Sequence, residues 1–349
     1  MTTAAPITAA HYIGHRAFSV EQVPPQPPAA GEVQVNVAWC GICGTDMHVF
    51  HGNMDARVGN HRVIGHEMSG TVAAIAGDVP GFAPGDKVVV RPLKACGHCP
   101  ACAAGHSHIC HNLKFLGLDT DGAMRQQWTV PAEVLHRLPA DMPLDKAALV
   151  EPLAVAVHDV RRARVAAGET ALVIGGGPIG MLIAMVAAHA GARVIVSEVN
   201  DARLAMARAM GFMALNPKEG DVAAAVLRET AGKGAEVVFE VSGTQAGVEL
   251  MTEASAARGR ICMVAIHAKK PSIDLFRFFW REIEMLGARV YEPGDYDEAI
   301  ALLASGAIDV TPLITDRVPL PAIQSAFEAL DGNPTAMKTL IDCQSGVAA

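Results

Sequence analysis

Four cysteines, Cys96, Cys99, Cys102 and Cys110, fall in the stretch CGHCPACAAGHSHIC at spacings C-x2-C-x2-C-x7-C. Thiolates this close in sequence can converge on one tetrahedral Zn²⁺ with sulfur as the only donor, a closed site that steadies structure without doing chemistry. A disulfide cluster or an iron–sulfur centre would use the same residue type, but nothing in the chain points to an oxidising compartment. A second set of candidates is scattered. Cys43 lies in GICGTD, His66 and Glu67 in IGHEMSG, and Glu151 in VEPLA, each in a turn marked by Gly or Pro. Thiolate, imidazole and carboxylate together suit a catalytic zinc that keeps one position open for water or substrate. Singly, each has an ordinary explanation in core packing, capping or turn formation. Cys40 is a rival thiol, and CGIC also reads as a redox pair. Placing Cys40 at the end of a strand favours Cys43 as the ligand.

A third constellation is Gly175, Gly177 and Gly180, a G-x-G-x-x-G between an apolar run (Ala171–Ile174) and a helical one (Pro178–His189). Alone the motif is weak, and a Gly-rich turn without ligand remains the alternative. In a strand–turn–helix setting the glycines permit a tight turn and close approach of a pyrophosphate, whose charge faces the helix N-terminus. Glu198 follows at the end of the next strand. A carboxylate there can accept hydrogen bonds from both ribose hydroxyls of NAD and would repel a 2′-phosphate, so NAD is expected over NADP. Arg203 is the one nearby basic residue that would blur this preference.

The surrounding elements fit two domains. A chain of 349 residues, 51% hydrophobic and 18% charged, has ample core for them. Residues up to about 150 alternate short strands with Gly- and Pro-marked turns, among them Glu32–Ala38 with alternating Val33, Val35 and Val37, which suggests a β-barrel-like domain. The cysteine lobe is inserted after the Val88–Val90 strand. Past a helix expected over Glu151–Val165, strands and helices alternate up to about Gly287–Tyr291, the pattern of a parallel sheet covered on both faces. Helices are expected over Gly247–Ala256, Tyr296–Ser305 and Leu320–Leu330, the last two in a segment returning to the first domain. The expected limits are 1–155, 156–290 and 291–349. The run Ile273–Leu286 reads as part core, part subunit contact.

The net charge of −8 offers no footprint for nucleic acid or an anionic membrane, which counts against a nucleic-acid-binding zinc module. Ala171–Ala188 carries no charge, but GGGPIG divides it into a strand and a helix. With no signal peptide pattern at the start, a soluble, cytoplasmic protein is expected.

Taken together, GICGTDMH, GHEMSG, the four-cysteine lobe, VEPLAVAVH and GGGPIG resemble, over essentially the whole chain and in the same order, the zinc-containing medium-chain dehydrogenase/reductase family. The resemblance implies an α/β protein with a GroES-like β-barrel catalytic domain and a Rossmann NAD-binding domain, catalytic zinc lying in the cleft between them. It implies two zincs per chain and a homo-oligomer, a tetramer or dimer. Cys43 and His66 match zinc ligands, and Glu151 matches the place where polyol-dehydrogenase members use Glu. Glu67 matches a carboxylate that binds the metal in some members and only lies near it in others. Asp46 matches a residue that orients the zinc histidine, and Thr45 and His48 match a relay passing the alcohol proton to solvent through the cofactor ribose. Ile179 and Arg203 match cofactor contacts, and Val264, Ala265 and Ile266 the loop beside the nicotinamide. Arg289 and Tyr291 lie near the position of a substrate-binding arginine, without a choice between them.

The activity so implied is reversible, NAD-dependent oxidation of a secondary alcohol, with polyol and 2,3-butanediol dehydrogenases the nearest patterns. L-Threonine 3-dehydrogenase is the runner-up. A zinc-free enone reductase and a non-enzymatic zinc-binding protein are the more distant alternatives.

Overall fold

The structure, a computed structural model, describes residues 5–77, 79–333 and 335–346. It divides into two compact units, 1–151 together with 292–349, and 152–291. The change of fold therefore falls at Glu151/Pro152, earlier than the expected 155/156.

In the first unit, strand Ile7–Tyr12 lies at the centre of a three-stranded antiparallel sheet, flanked by Phe18–Val23 and Arg62–Val63. A seven-stranded sheet runs in the order Leu135–Arg137, Lys87–Val90, Glu67–Ile75, Glu32–Gly41, Lys338–Asp342, Ile314–Pro319, and Gln127–Pro131 also pairs with Glu32–Gly41. Val33, Val35 and Val37 are fully buried, so the alternation in the sequence marks the core face of this strand. Strand Lys338–Asp342 comes from the far end of the chain and lies antiparallel to Glu32–Gly41, with Leu340 opposite Gly41.

The second unit is a six-stranded, wholly parallel sheet in the order Met213–Leu215, Arg193–Ser197, Thr170–Ile174, Ala235–Glu240, Ser255–Met263, Glu284–Gly287. The order reverses at Thr170–Ile174, and in such a sheet ligands bind outside the carboxyl ends of the strands at the reversal. Leu172, Ile195, Val238 and Ile261 join helices Val222–Glu229 and Gln245–Ala254 in one apolar core. Helix starts are fixed by polar side chains that accept otherwise unpaired backbone N–H groups. Asn200 accepts from Ala202 and Arg203, Asp221 from Ala224, and Thr244 from Gly247.

The uncharged stretch is a strand, Thr170–Ile174, and a separate helix, Pro178–His189. Among the described residues no helix is long and apolar enough to cross a membrane. Four helices differ in extent from expectation: the one expected over Glu151–Val165 runs Val150–Arg162, with Arg164 in the left-handed region just beyond its end. Gln245–Ala254 stops where Ser255 turns extended to begin a strand. Pro293–Ala304 starts early because Pro293 occupies the first turn and Glu292 and Asp295 cap one another. At Leu320 the chain makes a short 3₁₀ turn before helix Ile323–Gly332.

Candidate functional site

Cys43 caps the N-terminus of helix Gly44–Phe50, in extended backbone, so its thiol lies at the positive end of the helix. Asp46, three residues on and fully buried, accepts a hydrogen bond from the Cys43 backbone N–H at 2.9 Å with one oxygen. Its other oxygen lies 3.6 Å from His66 Nδ1, and neither of these two buried atoms has a hydrogen-bond partner. His66 packs edge-on against Phe115. Gly65, before it, has φ +98°, and a Cβ there would come within 2.7 Å of the Cys40 sulfur, so only glycine lets the chain deliver His66 at this point.

Ligand atoms of Cys43, His66 and Glu67 all lie within 4.8 Å of one another. Glu151, in the first turn of helix Val150–Arg162, is buried and stands outside that group, but its charge acts on both His66 and Lys338. Burial pulls the His66 pKa down, yet the charges of Asp46, Cys43 and Glu151 outweigh it and lift the imidazole to about 10. Anions gathered so tightly that they hold a proton on a buried imidazole would equally attract a divalent cation. Thr45 is half-buried and His48 exposed, one turn apart on the same face of helix Gly44–Phe50. Cys40 ends in strand Glu32–Gly41, buried, and its thiol is held well above its usual pKa by burial, then by Cys343 and Asp46.

All eight cysteines are free. In the lobe, neighbouring sulfurs are 3.5 Å (Cys99–Cys102), 3.8 Å (Cys99–Cys110) and 3.4 Å (Cys96–Cys110) apart. Disulfide sulfurs would be about 2 Å apart, whereas zinc bonds of about 2.3 Å in a tetrahedron separate sulfurs by about 3.8 Å. Backbone N–H groups of Cys96, His111 and Asn112 point at these sulfurs. The N–H of His98, with Asn112 and Cys99, brings Cys96 down to about 5, while burial and the facing thiols push Cys102 up to about 12. Four thiols here cannot all ionise without a cation to share.

In the second unit, Gly175 has φ +106°, Gly177 caps helix Pro178–His189, and a Cβ on Gly180 would collide with the Gly175 carbonyl oxygen. The Glu198 carboxylate accepts from Gly176 N–H at 2.7 Å, Val199 N–H at 2.7 Å and Asn200 N–H at 2.9 Å. Arg203 reaches to 4.0 Å from it. Gly175, Gly177, Glu198 and Arg203 line a cavity of about 510 Å³, together with apolar Val222 and Leu250. Ile179, Gly180, Val264, Ala265 and Ile266 are not part of its lining. Val264 and Ala265 instead donate their N–H groups to the Glu240 carbonyl, and Ile266 is exposed. Arg289 is exposed and Tyr291 fully buried.

Comparison with known proteins settles the family. Residues 29–140 match the alcohol dehydrogenase GroES-like domain and residues 178–305 the zinc-binding dehydrogenase domain. The chain belongs to the zinc-binding alcohol dehydrogenase family. It is 55% identical to 2-dehydro-3-deoxy-L-galactonate 5-dehydrogenase of Pseudoalteromonas atlantica, over 97% of this chain and 99% of that one. It is 32% identical to (R,R)-butanediol dehydrogenase of Neisseria gonorrhoeae, over 96% and 99%. A zinc-binding dehydrogenase of Sinorhizobium meliloti, solved with NADP, superposes with a TM-score of 0.91 at 30% identity, over 97% and 99%.

For a zinc alcohol dehydrogenase, both donor sets fit the metal: four thiols at near-tetrahedral spacing, and a half-buried thiol with a buried imidazole and carboxylate beside unpartnered polar atoms. Sequence reasoning missed Lys338, whose ammonium lies 2.6 and 2.8 Å from the Glu67 carboxylate oxygens and 3.2 Å from the Ile42 carbonyl. Its only signal is one lysine at the head of an apolar strand, KTLID. Gly41 was also missed: a Cβ there would collide with Glu67 Oε2, so the glycine keeps room for the ion pair.

Proposed function

We propose that this dehydrogenase oxidises, with NAD, a secondary hydroxyl of a polyhydroxylated substrate, in the first instance that of a 2-dehydro-3-deoxy sugar acid. The convergence of Cys43, His66 and Glu67 in one cluster carries the reading. The substrate class is supported by the 55% identity to the galactonate enzyme, with the butanediol relative pointing to the same motif of a hydroxyl beside a second polar group. L-Threonine 3-dehydrogenase activity is the runner-up.

Cys43, His66 and Glu151 would hold the catalytic zinc, with Glu67 beside it, and Cys96, Cys99, Cys102 and Cys110 a structural one. Bound zinc supplies Lewis-acid polarisation of the substrate hydroxyl and bound nicotinamide accepts hydride. Asp46 fixes the His66 ring by facing Nδ1, which leaves Nε2 for the metal. Thr45 takes the hydroxyl proton and His48, exposed, hands it to water. In the nucleotide cavity Glu198 receives the ribose hydroxyls, Gly175 and Gly177 admit the pyrophosphate, and Gly180 lets the following helix pack close. Glu198, Asp221 and Glu253 against the single Arg203 in the lining favour NAD over a 2′-phosphorylated cofactor. By the resemblance, Ile179 would contact the cofactor through its backbone and Val264, Ala265 and Ile266 would lie beside the nicotinamide.

A cytoplasmic homo-oligomer, a tetramer or dimer, completes the reading. Helix Leu275–Arg281 exposes Leu275, Phe276, Phe279 and Trp280, and edge strand Glu284–Gly287 adds exposed Met285, an apolar surface that a second copy would cover.

The test is NADH formation with 2-dehydro-3-deoxy-L-galactonate, polyols, vicinal diols, primary alcohols and L-threonine, with zinc counted per chain and mass measured in solution. Two zincs with a preference for sugar acid, polyol or diol is the expected result. A preference for simple primary alcohols overturns the substrate class.

A further inference from the structure

A third group of metal-ligand side chains lies apart from both zinc clusters. His11, Glu21 and His61 place one ligand atom each within 4.8 Å of one another. The three-stranded sheet of the first unit brings them together by register. His11 sits on its central strand opposite Ser19 on one side and Val63 on the other. Glu21 is two residues beyond Ser19, and His61 two before Val63. Because side chains alternate with period two, His11 and Glu21 emerge on one face of the sheet as diagonal neighbours, and His61, in the bend just before strand Arg62–Val63, is brought beside them.

The distances suit a shared ion. His11 Nδ1 is 3.6 Å and His61 Nε2 3.4 Å from the two Glu21 carboxylate oxygens. Tetrahedral zinc with bonds of about 2.0–2.1 Å separates its donors by about 3.4 Å. The two imidazole rings stack, with centroids 4.2 Å apart and planes 16° from parallel. His11 is 7% exposed, and its Nδ1 is buried without a hydrogen-bond partner. A buried imidazole nitrogen facing a carboxylate but making no hydrogen bond is a donor with an unfilled role.

Neighbouring charges leave room for a cation. Asp121 adds a carboxylate near His11, while Arg62 lies 3.5 Å and Arg125 3.8 Å from that aspartate and balance it. Burial, then the adjacent His61, lowers the His11 pKa against the opposing pull of Glu21 and Asp121. His61 and Glu21 reach toward solvent, giving an ion an entry path and room for water.

We propose that His11, Glu21 and His61 form a third divalent-metal site, selective for borderline ions such as Zn²⁺ or Ni²⁺ over Mg²⁺ and Ca²⁺. Two imidazoles and one carboxylate are a donor set for the former, not for hard oxygen-seeking ions. An ion there staples strand Phe18–Val23 to the segment that leads through Ile64 and Gly65 into His66. Its action is to stiffen this segment, independently of the substrate.

The experiment titrates the purified holoenzyme, with its resident zinc counted, with Zn²⁺ and separately Mg²⁺, by calorimetry and by metal analysis after gel filtration. The expected result is one further Zn²⁺ per chain retained through gel filtration, a higher melting temperature, and no uptake of Mg²⁺. His61→Asn and Glu21→Gln, at partly exposed positions, each lose the extra ion and the rise in melting temperature while keeping the resident zinc and turnover. No further Zn²⁺ below millimolar concentration overturns the proposal. So does an extra ion retained with wild-type affinity in both variants, or equal uptake of Mg²⁺.

Discussion

Lys338 Nζ lies between both carboxylate oxygens of Glu67 and the carbonyl of Ile42, with the lysine and glutamate side chains 4% and 1% exposed. The two residues are joined through the sheet: Glu67 pairs with Gly41, and Gly41 with Leu340. The ammonium thus claims the carboxylate that stands beside Cys43 and His66. Lys338→Met leaves a buried carboxylate without its partner, and such a broken pair costs about 3–5 kcal/mol. Chemical denaturation should register that loss, with a change in bound zinc. Lys338→Met combined with Glu67→Gln should recover much of the stability, because no charge is then stranded. Full recovery of stability without recovered activity would separate the structural part of the pair from its catalytic part.

Cys43→Ser should remove turnover. The nucleotide cavity is built wholly from residues of the second unit, so NADH binding, followed by fluorescence, should stay at wild-type strength. Unchanged activity would remove Cys43 from the mechanism.

Glu198→Ala should narrow the preference for NAD over NADP. Hydrogen bonds to a charged group contribute about 1.5–3 kcal/mol, so kcat/KM for NAD should fall about tenfold or more. Some of that loss reflects the turn itself, because Glu198 also receives the Gly176, Val199 and Asn200 N–H groups. The ratio of the two cofactors, not either value alone, is therefore the measurement. An unaltered ratio would remove Glu198 from cofactor selection.

Cys99→Ser should act on stability first. For domains of this size each kcal/mol lost lowers the melting temperature by about 2–4 °C, and losing a structural metal removes several. Zinc content should fall from two to one per chain. At a temperature where the variant is still folded, kcat per folded chain should remain close to wild type.

The motifs legible in the sequence were those whose partners are local. The four lobe cysteines and the strand–GGGPIG–helix turn each close within a short stretch of chain, so spacing alone specifies their geometry. Runs of alternating valines and the change to strand–helix alternation likewise mark the two folds, because burial imposes its period on the residues themselves. Strand register across distant segments leaves no such trace. Lys338 reaches Glu67 only because Lys338–Asp342 pairs antiparallel with Glu32–Gly41, and His11, Glu21 and His61 come together only because Ile7–Tyr12 pairs with Phe18–Val23 on one side and with Arg62–Val63, next to His61, on the other. The sequence determined which residues could do chemistry and the folds that carry them. Tertiary structure decided which charges meet, since a one-residue slip in any of these pairings would turn the side chains to the opposite face.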